Sequence, residues 1–315
     1  MSSSEVKNLL LLILDMTPAT WGSCTSEFGL PDCIEAVLGF ANSHLMLSSY
    51  NELAIIGVTP CHTKFIYPNN LEHAGEPTND GQNDALSCMN NTVRQLSLDL
   101  VTSCSSSSTQ IILAGAIIKA LCYYLRRCRE LQPTSRYMDD TSPDSTEFSE
   151  GTEKITSRIM IIKASDDNSS QYLSLMNSVF TAQKLHVPID TCVLPLPQEN
   201  ESTNTTPSLR HSSLLQQAAD LTGGIYLQVP RVSGLLQYLL SVFLPSSKMR
   251  ASLLLPDSRS SGLSFGVDFR AACFCHKQLI DIGYVCSVCL SVFCEFSPIC
   301  STCNTPFVLP SVKNI

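Results

Sequence analysis

Seven of the fifteen cysteines fall between Cys273 and Cys303, and His276 stands among them. Two pairs in that stretch, Cys286-x2-Cys289 and Cys300-x2-Cys303, have the spacing at which a single tight turn aims two thiolates at one ion. Two such turns complete a tetrahedral four-sulfur shell of the kind zinc prefers. The pattern therefore predicts a structural zinc held by Cys286, Cys289, Cys300 and Cys303. A closed shell has no open coordination position, so such an ion would brace a fold and would not activate water. Cys273, Cys275 and His276 precede the first pair, and Cys294 lies between the two pairs. They are enough for a second site, or for a different division of ligands in which Cys273 and Cys275 join Cys286 and Cys289. Cys294 also has a plain structural reading as a small buried hydrophobe beside the site. Spacing alone leaves these alternatives open.

Elsewhere the chemistry is sparse. The sequence contains no G-x-x-x-x-G-K-[ST] and no G-x-G-x-x-G after the first strand. His44, His62, His73, His186 and His211 are scattered through segments that read as surface, as ordinary polar positions. A net charge of -8 argues against a surface that coats nucleic acid. The basic cluster Arg126, Arg127 and Arg129 reads as a solvated helix end. An odd cysteine count in a knuckle pattern, with no secretory signal recognised, points to a reducing compartment and metal-bound thiols. No apolar run is long enough to span a bilayer, and no small-molecule substrate is indicated.

The elements that must carry these residues follow from hydrophobic patterning. With 44% hydrophobic and 15% charged residues, most of the chain is globular. Val6 to Leu14 contains the run LLLLIL and stops at Asp15-Met16-Thr17-Pro18, which suits a central parallel strand buried on both faces. Further strands are expected at Glu52–Val58, Thr63–Tyr67, Ser157–Ala164, Val187–Leu194 and Ile225–Val229. Helices are expected at Pro31–Leu47, Ala85–Ser103, Thr109–Arg129 with Ser108 or Thr109 as cap, Ser169–Leu185, Leu214–Leu221 closed by Gly223-Gly224, and Gly234–Phe243. This alternation predicts an α/β fold, a doubly wound, mostly parallel sheet of the Rossmann type. It would occupy residues 1–247, with mobile polar loops near 132–154 and 197–211. A linker over 248–272, a zinc-binding module over 273–307 and a tail over 308–315 complete the plan.

One constellation gathers at the expected strand ends: Asp15-x-Thr17-x-Ala19, with Thr109 opening a helix and Asp166 closing the fourth strand. It resembles the von Willebrand factor A domain, in which a D-x-S-x-S loop, a threonine and an aspartate surround a magnesium-type ion; hard oxygen ligands suit such a cation. Ala19 stands where that pattern needs a hydroxyl, and Pro18 alters the loop. The expectation is a degenerate, empty cation site in which Asp15 makes structural hydrogen bonds.

An A-type domain followed by a cysteine module narrows the resemblance. YVCSVCLSVFCEFSPICSTC, RAACFCH, LLLLILDMTPATWG, LAGAIIKALCYY, LLQQAADLTGGIYL and LLQYLLSVFLP are similar to blocks of the family of subunit three of general transcription factor IIH. The resemblance implies a non-enzymatic core subunit of a nuclear assembly serving RNA polymerase II initiation and nucleotide excision repair. It also implies a C4 zinc finger and docking to other core subunits, especially the zinc-bearing subunit with its own A-type domain, with only an indirect link to helicases and DNA. Two other functions fit the same cysteines. Eight Cys and His residues could fold around two zincs as a RING-type ubiquitin ligase, for which metal content and recruitment of a ubiquitin-conjugating enzyme are the discriminating observations. A DNA-contacting zinc module is the other, although the tail's six basic residues barely outnumber its acidic ones.

Overall fold

Lys7–Asp15 forms β1, and every residue from Leu9 to Asp15 is buried. The apolar run sorts itself by alternation: Leu10, Leu12 and Leu14 enter one hydrophobic core while Leu9, Leu11 and Ile13 enter another on the opposite face. A strand apolar at every position is stable only where both faces are covered, so this one stretch demands two layers of helices. The structure, a computed structural model, describes residues 7–22, 28–68, 82–104, 111–131, 155–165, 167, 171–194, 212–250, 252–253, 270–271, 273–276, 280–289 and 291–306. The expected loops at 132–154 and 197–211, the tail at 308–315 and most of the expected linker lie outside those residues.

Six strands form one sheet in the order β3-β2-β1-β4-β5-β6. Here β2 is Glu52–Val58, β3 Thr63–Tyr67, β4 Ile155–Lys163, β5 Ile189–Val193 and β6 Tyr226–Gln228. β1 pairs in parallel with β2 (Leu11 opposite Ala54) and with β4 (Leu11 opposite Ile159), and only β3 runs antiparallel. One face is covered by α1 (Pro18–Gly22), α2 (Leu30–Leu47), α3 (Gln82–Thr102) and α7 (Leu235–Tyr238), and the other by α4 (Leu113–Glu130), α5 (Tyr172–Lys184) and α6 (Ser213–Thr222). This is the doubly wound arrangement the alternation predicts.

Several local expectations are corrected. α4 begins at Leu113, with Ile112 at its N-cap and no side-chain cap, so neither Ser108 nor Thr109 starts it; both lie outside the described residues. The helix expected over Gly234–Phe243 changes pitch, with α7 giving way to a π-helical turn at Leu239–Phe243. Ser247–Arg250, assigned largely to a linker, is a short helix, α8, fastened to the sheet. Arg250 donates from Nη1 and Nη2 to the Asp190 carboxylate at 2.9 and 2.7 Å, and to the carbonyl oxygens of Phe243 and Pro245. Arg158 also donates to the carbonyls of Phe243, Leu244 and Pro245, so two guanidinium groups satisfy the free end of the π turn. His44 is not a surface residue: it is 3% exposed on the inner face of α2. Nor is Arg127 merely solvated, because its fork pairs with Glu52 at 2.7 and 2.9 Å, joining the end of α4 to the start of β2.

Residues Tyr284–Val285 (β7) and Val292–Phe293 (β8) make a separate antiparallel pair. Around it the core is small: Cys286, Phe293 and Cys300, with Phe274, Cys289 and Cys303 packed against them.

Candidate metal centres

The strand-end constellation is built on the β1 carboxyl end. Asp15 is 2% exposed, and its Oδ1 accepts from the Thr17 amide at 3.1 Å and the Thr17 hydroxyl at 2.6 Å. Its Oδ2 accepts from the amides of Ala164 and Ser165 at 3.0 and 2.7 Å, which ties the end of β1 to the turn after β4. A carboxylate has about four acceptor positions, and these four bonds use them. Trp21 Nε1 donates to the Asp15 carbonyl at 3.0 Å, closing α1 back over the strand end. Ala19, where a hydroxyl would be needed, lies inside α1. Thr109 and Asp166 lie outside the described residues. Beside the β4 carboxyl end a cavity of about 20 Å³ opens between Ile111, Lys163, Asp167 and Gln171, space for about one water. A larger open groove of about 710 Å³ lies at the opposite, amino ends of the strands, among Asn8, His44, Arg158, Pro188 and Met249.

The cysteine-rich stretch gathers two groups of potential ligands. The Sγ atoms of Cys286, Cys289, Cys300 and Cys303 all lie within 4.8 Å of one another, with Cys286 to Cys303 and Cys289 to Cys300 at 3.6 Å. A tetrahedron with metal–sulfur bonds of ~2.3 Å has edges of ~3.8 Å, whereas a disulfide needs ~2.05 Å. The spacing and the all-sulfur donor set fit one tetrahedral ion.

Each pair sits on a turn of the same construction. The Cys286 amide donates to the Ser291 carbonyl at 3.0 Å, and the Cys300 amide to the Thr305 carbonyl at 2.8 Å. Ser291 Oγ lies 3.1 Å from Cys289 Sγ, and Thr305 Oγ1 lies 3.2 Å from Cys303 Sγ. Hydrogen bonding by those hydroxyls lowers both thiols, Cys289 to about 6, which favours the thiolate a metal requires. Ser291 and Thr305 were not singled out from the sequence. The signal is nevertheless there: both turns read C-x2-C-x-[ST], ending on a hydroxyl two residues past the second thiol.

Cys273, Cys275, His276 and Cys294 form the second group, again within 4.8 Å of one another. The alternative division, with Cys273 and Cys275 joining Cys286 and Cys289, is not the grouping found. Either cluster could hold a metal ion.

The model of the transcription factor Tfb4 family matches residues 7–304. General transcription factor IIH subunit 3 of Dictyostelium discoideum is 35% identical over 91% of this chain and 70% of its own length. General transcription and DNA repair factor IIH subunit tfb4 of Schizosaccharomyces pombe is 32% identical over 98% of this chain and 91% of its own. Among solved structures, the crystal structure of the TFIIH p34 N-terminal domain superposes with a TM-score of 0.59 at 24% identity, covering 76% of this chain and 98% of that one. That likeness bears on the α/β fold alone. A match that begins at β1 and runs through both cysteine turns takes in the sheet and the cysteine clusters together, and the chain belongs to the transcription factor Tfb4 family.

Proposed function

We propose that this chain is a structural subunit of the general transcription factor IIH core complex, without catalysis of its own. On this reading it serves RNA polymerase II initiation and nucleotide excision repair by docking other proteins in the nucleus. The observation that carries the reading is the family match across residues 7–304, together with relatives named as transcription and DNA repair factor IIH subunits. Its partners are other core subunits, especially the zinc-bearing one with its own A-type domain, and through them the helicases and DNA.

The chemistry of these sites supports a scaffold. Asp15 spends its acceptor capacity on Thr17, Ala164 and Ser165, which favours a strand end empty of magnesium. Zinc is the ion for Cys286, Cys289, Cys300 and Cys303: four thiolates complete its shell, and its role when bound is to cross-link two turns of one chain. In that setting Ser291 and Thr305 hold thiolate charge through their hydroxyls, and the two amide-to-carbonyl bonds set the turns that aim the sulfurs. Ile282, Val288 and Ile299 are exposed on the cysteine module, 87%, 64% and 55% respectively. Apolar side chains at the surface of so small a body favour a protein partner over a phosphate backbone. We assign residues 1–247 to the A-type domain and 273–307 to the zinc finger, with α8 extending the former as far as Arg250.

Affinity purification of the tagged full chain from nuclear extract, followed by mass spectrometry, tests the assignment. Other factor IIH core subunits are expected in stoichiometric amounts. Recovery of the chain alone, or with an unrelated assembly, would refute it.

A further inference from the structure

Once the four-thiolate group is taken out, the remaining cysteines and the histidine of the module do not scatter. Cys275 Sγ lies 3.3 Å from Cys294 Sγ, and His276 Nδ1 lies 3.2 Å from the same sulfur. The His276 amide donates to Cys273 Sγ at 3.4 Å, and Cys273 is 2% exposed. Bonds of ~2.3 Å to sulfur and ~2.0 Å to imidazole nitrogen put the donor atoms of a tetrahedral site ~3.5–3.8 Å apart. Expansion by a few tenths of an ångström, of order the tolerance of side-chain torsions, admits an ion.

Chain order adds an independent observation. Along the sequence the two groups alternate: Cys273, Cys275 and His276 belong to one, Cys286 and Cys289 to the other, then Cys294, then Cys300 and Cys303. β8 is the shared wall. It follows Ser291 of the first turn, leads directly into Cys294, pairs with β7, and its Val292 carbonyl accepts from the Phe274 amide at 2.8 Å. The rings of Phe274 and Phe293, each next to a ligand of this second group, stand 6.2 Å apart across that contact. Gly283 allows the approach, since a Cβ there would lie 2.8 Å from Val292 Cγ1 and 3.0 Å from the Phe293 carbonyl oxygen.

We propose that Cys273, Cys275, His276 and Cys294 bind a second zinc ion through three thiolates and one imidazole, so that the ligands of two ions alternate along the chain and cross-brace the module. The inference deepens the zinc reading above and rests on it only in taking both clusters to belong to one folded unit. Binding releases the protons carried by the three thiols, as any thiolate site requires. A cross-brace by itself does not make a ubiquitin ligase. If two ions are bound, recruitment of a ubiquitin-conjugating enzyme becomes the sole discriminator between that activity and a scaffold.

The test is metal content and cobalt(II) spectroscopy of the purified full chain. Two zincs per chain are expected, falling to about one in Cys294→Ser and also to about one in Cys300→Ser. In the cobalt-loaded His276→Cys protein two ions should remain and the sulfur-to-metal charge-transfer intensity should rise, a change that a merely structural histidine would not produce. One zinc in the wild type that Cys294→Ser leaves untouched would overturn the second site and spare the first. No zinc at all would overturn both. A Cys275–Cys294 disulfide in the intact protein would also overturn it. Should Cys294→Ser release both ions, the His276→Cys spectrum decides, and an unchanged spectrum counts against the proposal.

Discussion

At the scale of single residues, two buried polar groups show what the family resemblance leaves for physics to decide. Asp15 occupies the position a cation-binding A-type domain would use, yet both its oxygens are held by protein donors. Asp15→Asn replaces one acceptor oxygen with an NH2 group that must face those same donors, and leaving buried donors unsatisfied costs about 1–3 kcal/mol. The variant should melt at lower temperature by the same amount with or without magnesium; a loss seen only when magnesium is present would mean the site holds a cation. His44 makes a different prediction. Burial first, and the nearby Arg158 guanidinium second, push its pKa from 6.5 down to about 4, so the folded chain keeps it neutral while the unfolded chain protonates it. Between those values the unfolded state binds the extra proton, and stability falls as pH drops, by up to about 1.4 kcal/mol per pH unit for one proton. Denaturant titrations between pH 7 and pH 4 should show that slope flatten in His44→Asn; an identical slope would assign the acid sensitivity elsewhere.

At the scale of elements, close packing between neighbours sets what the sequence can and cannot reveal. Gly223 takes φ 71 at the end of α6, and a Cβ on Gly224 would lie 2.0 Å from the Ile189 carbonyl oxygen at the start of β5. Gly224→Ala should therefore force β5 and β6 apart. A loss of more than about 2 kcal/mol is expected, beyond the ordinary range for a surface change, whereas Gly22→Ala, with open space around it, should be nearly neutral. Chemical denaturation of the two variants separates them, and equal effects would refute the packing argument. The paired glycines were legible as a helix stop, but the approach of Ile189 was not, because it lies far away along the chain. The same distinction runs through the fold. β1 could be read from LLLLIL because burial on both faces leaves no polar position in the run. α8 could not, since its Ser-rich surroundings have linker composition and its anchor, Asp190, is remote in sequence. His44 was misread although a signal existed: Val37, Phe40 and Ala41 precede it at helical spacing on the face that α2 buries. The π turn after α7 left no local mark, because its carbonyls are satisfied by Arg158 from β4 and Arg250 from α8.

For the whole molecule, the contrast between its two bodies sets how it should come apart. The α/β body buries two extensive apolar cores, whereas among the described residues of the cysteine module the core is Cys286, Phe293 and Cys300, with Cys273 and Ser291 also buried. The stretch from Cys273 to Pro306 is shorter than the ~40 residues below which a chain usually needs disulfides, metals or a partner to fold. Two zinc centres would supply that stability, and removing the ions should unfold the module because metal affinity and folding are one free energy. A strong chelator under reducing conditions should accordingly make residues 273–306 susceptible to protease while the sheet remains protected. Far-UV circular dichroism should lose only a minor part of its amplitude, and the double variant Cys286→Ser/Cys294→Ser, which spoils both clusters, should reproduce the same pattern without chelator. If the sheet opened together with the module, the cysteine clusters would be bracing the α/β body itself. If neither protease sensitivity nor spectrum changed, the module would be holding its fold without metal, against what its small core allows.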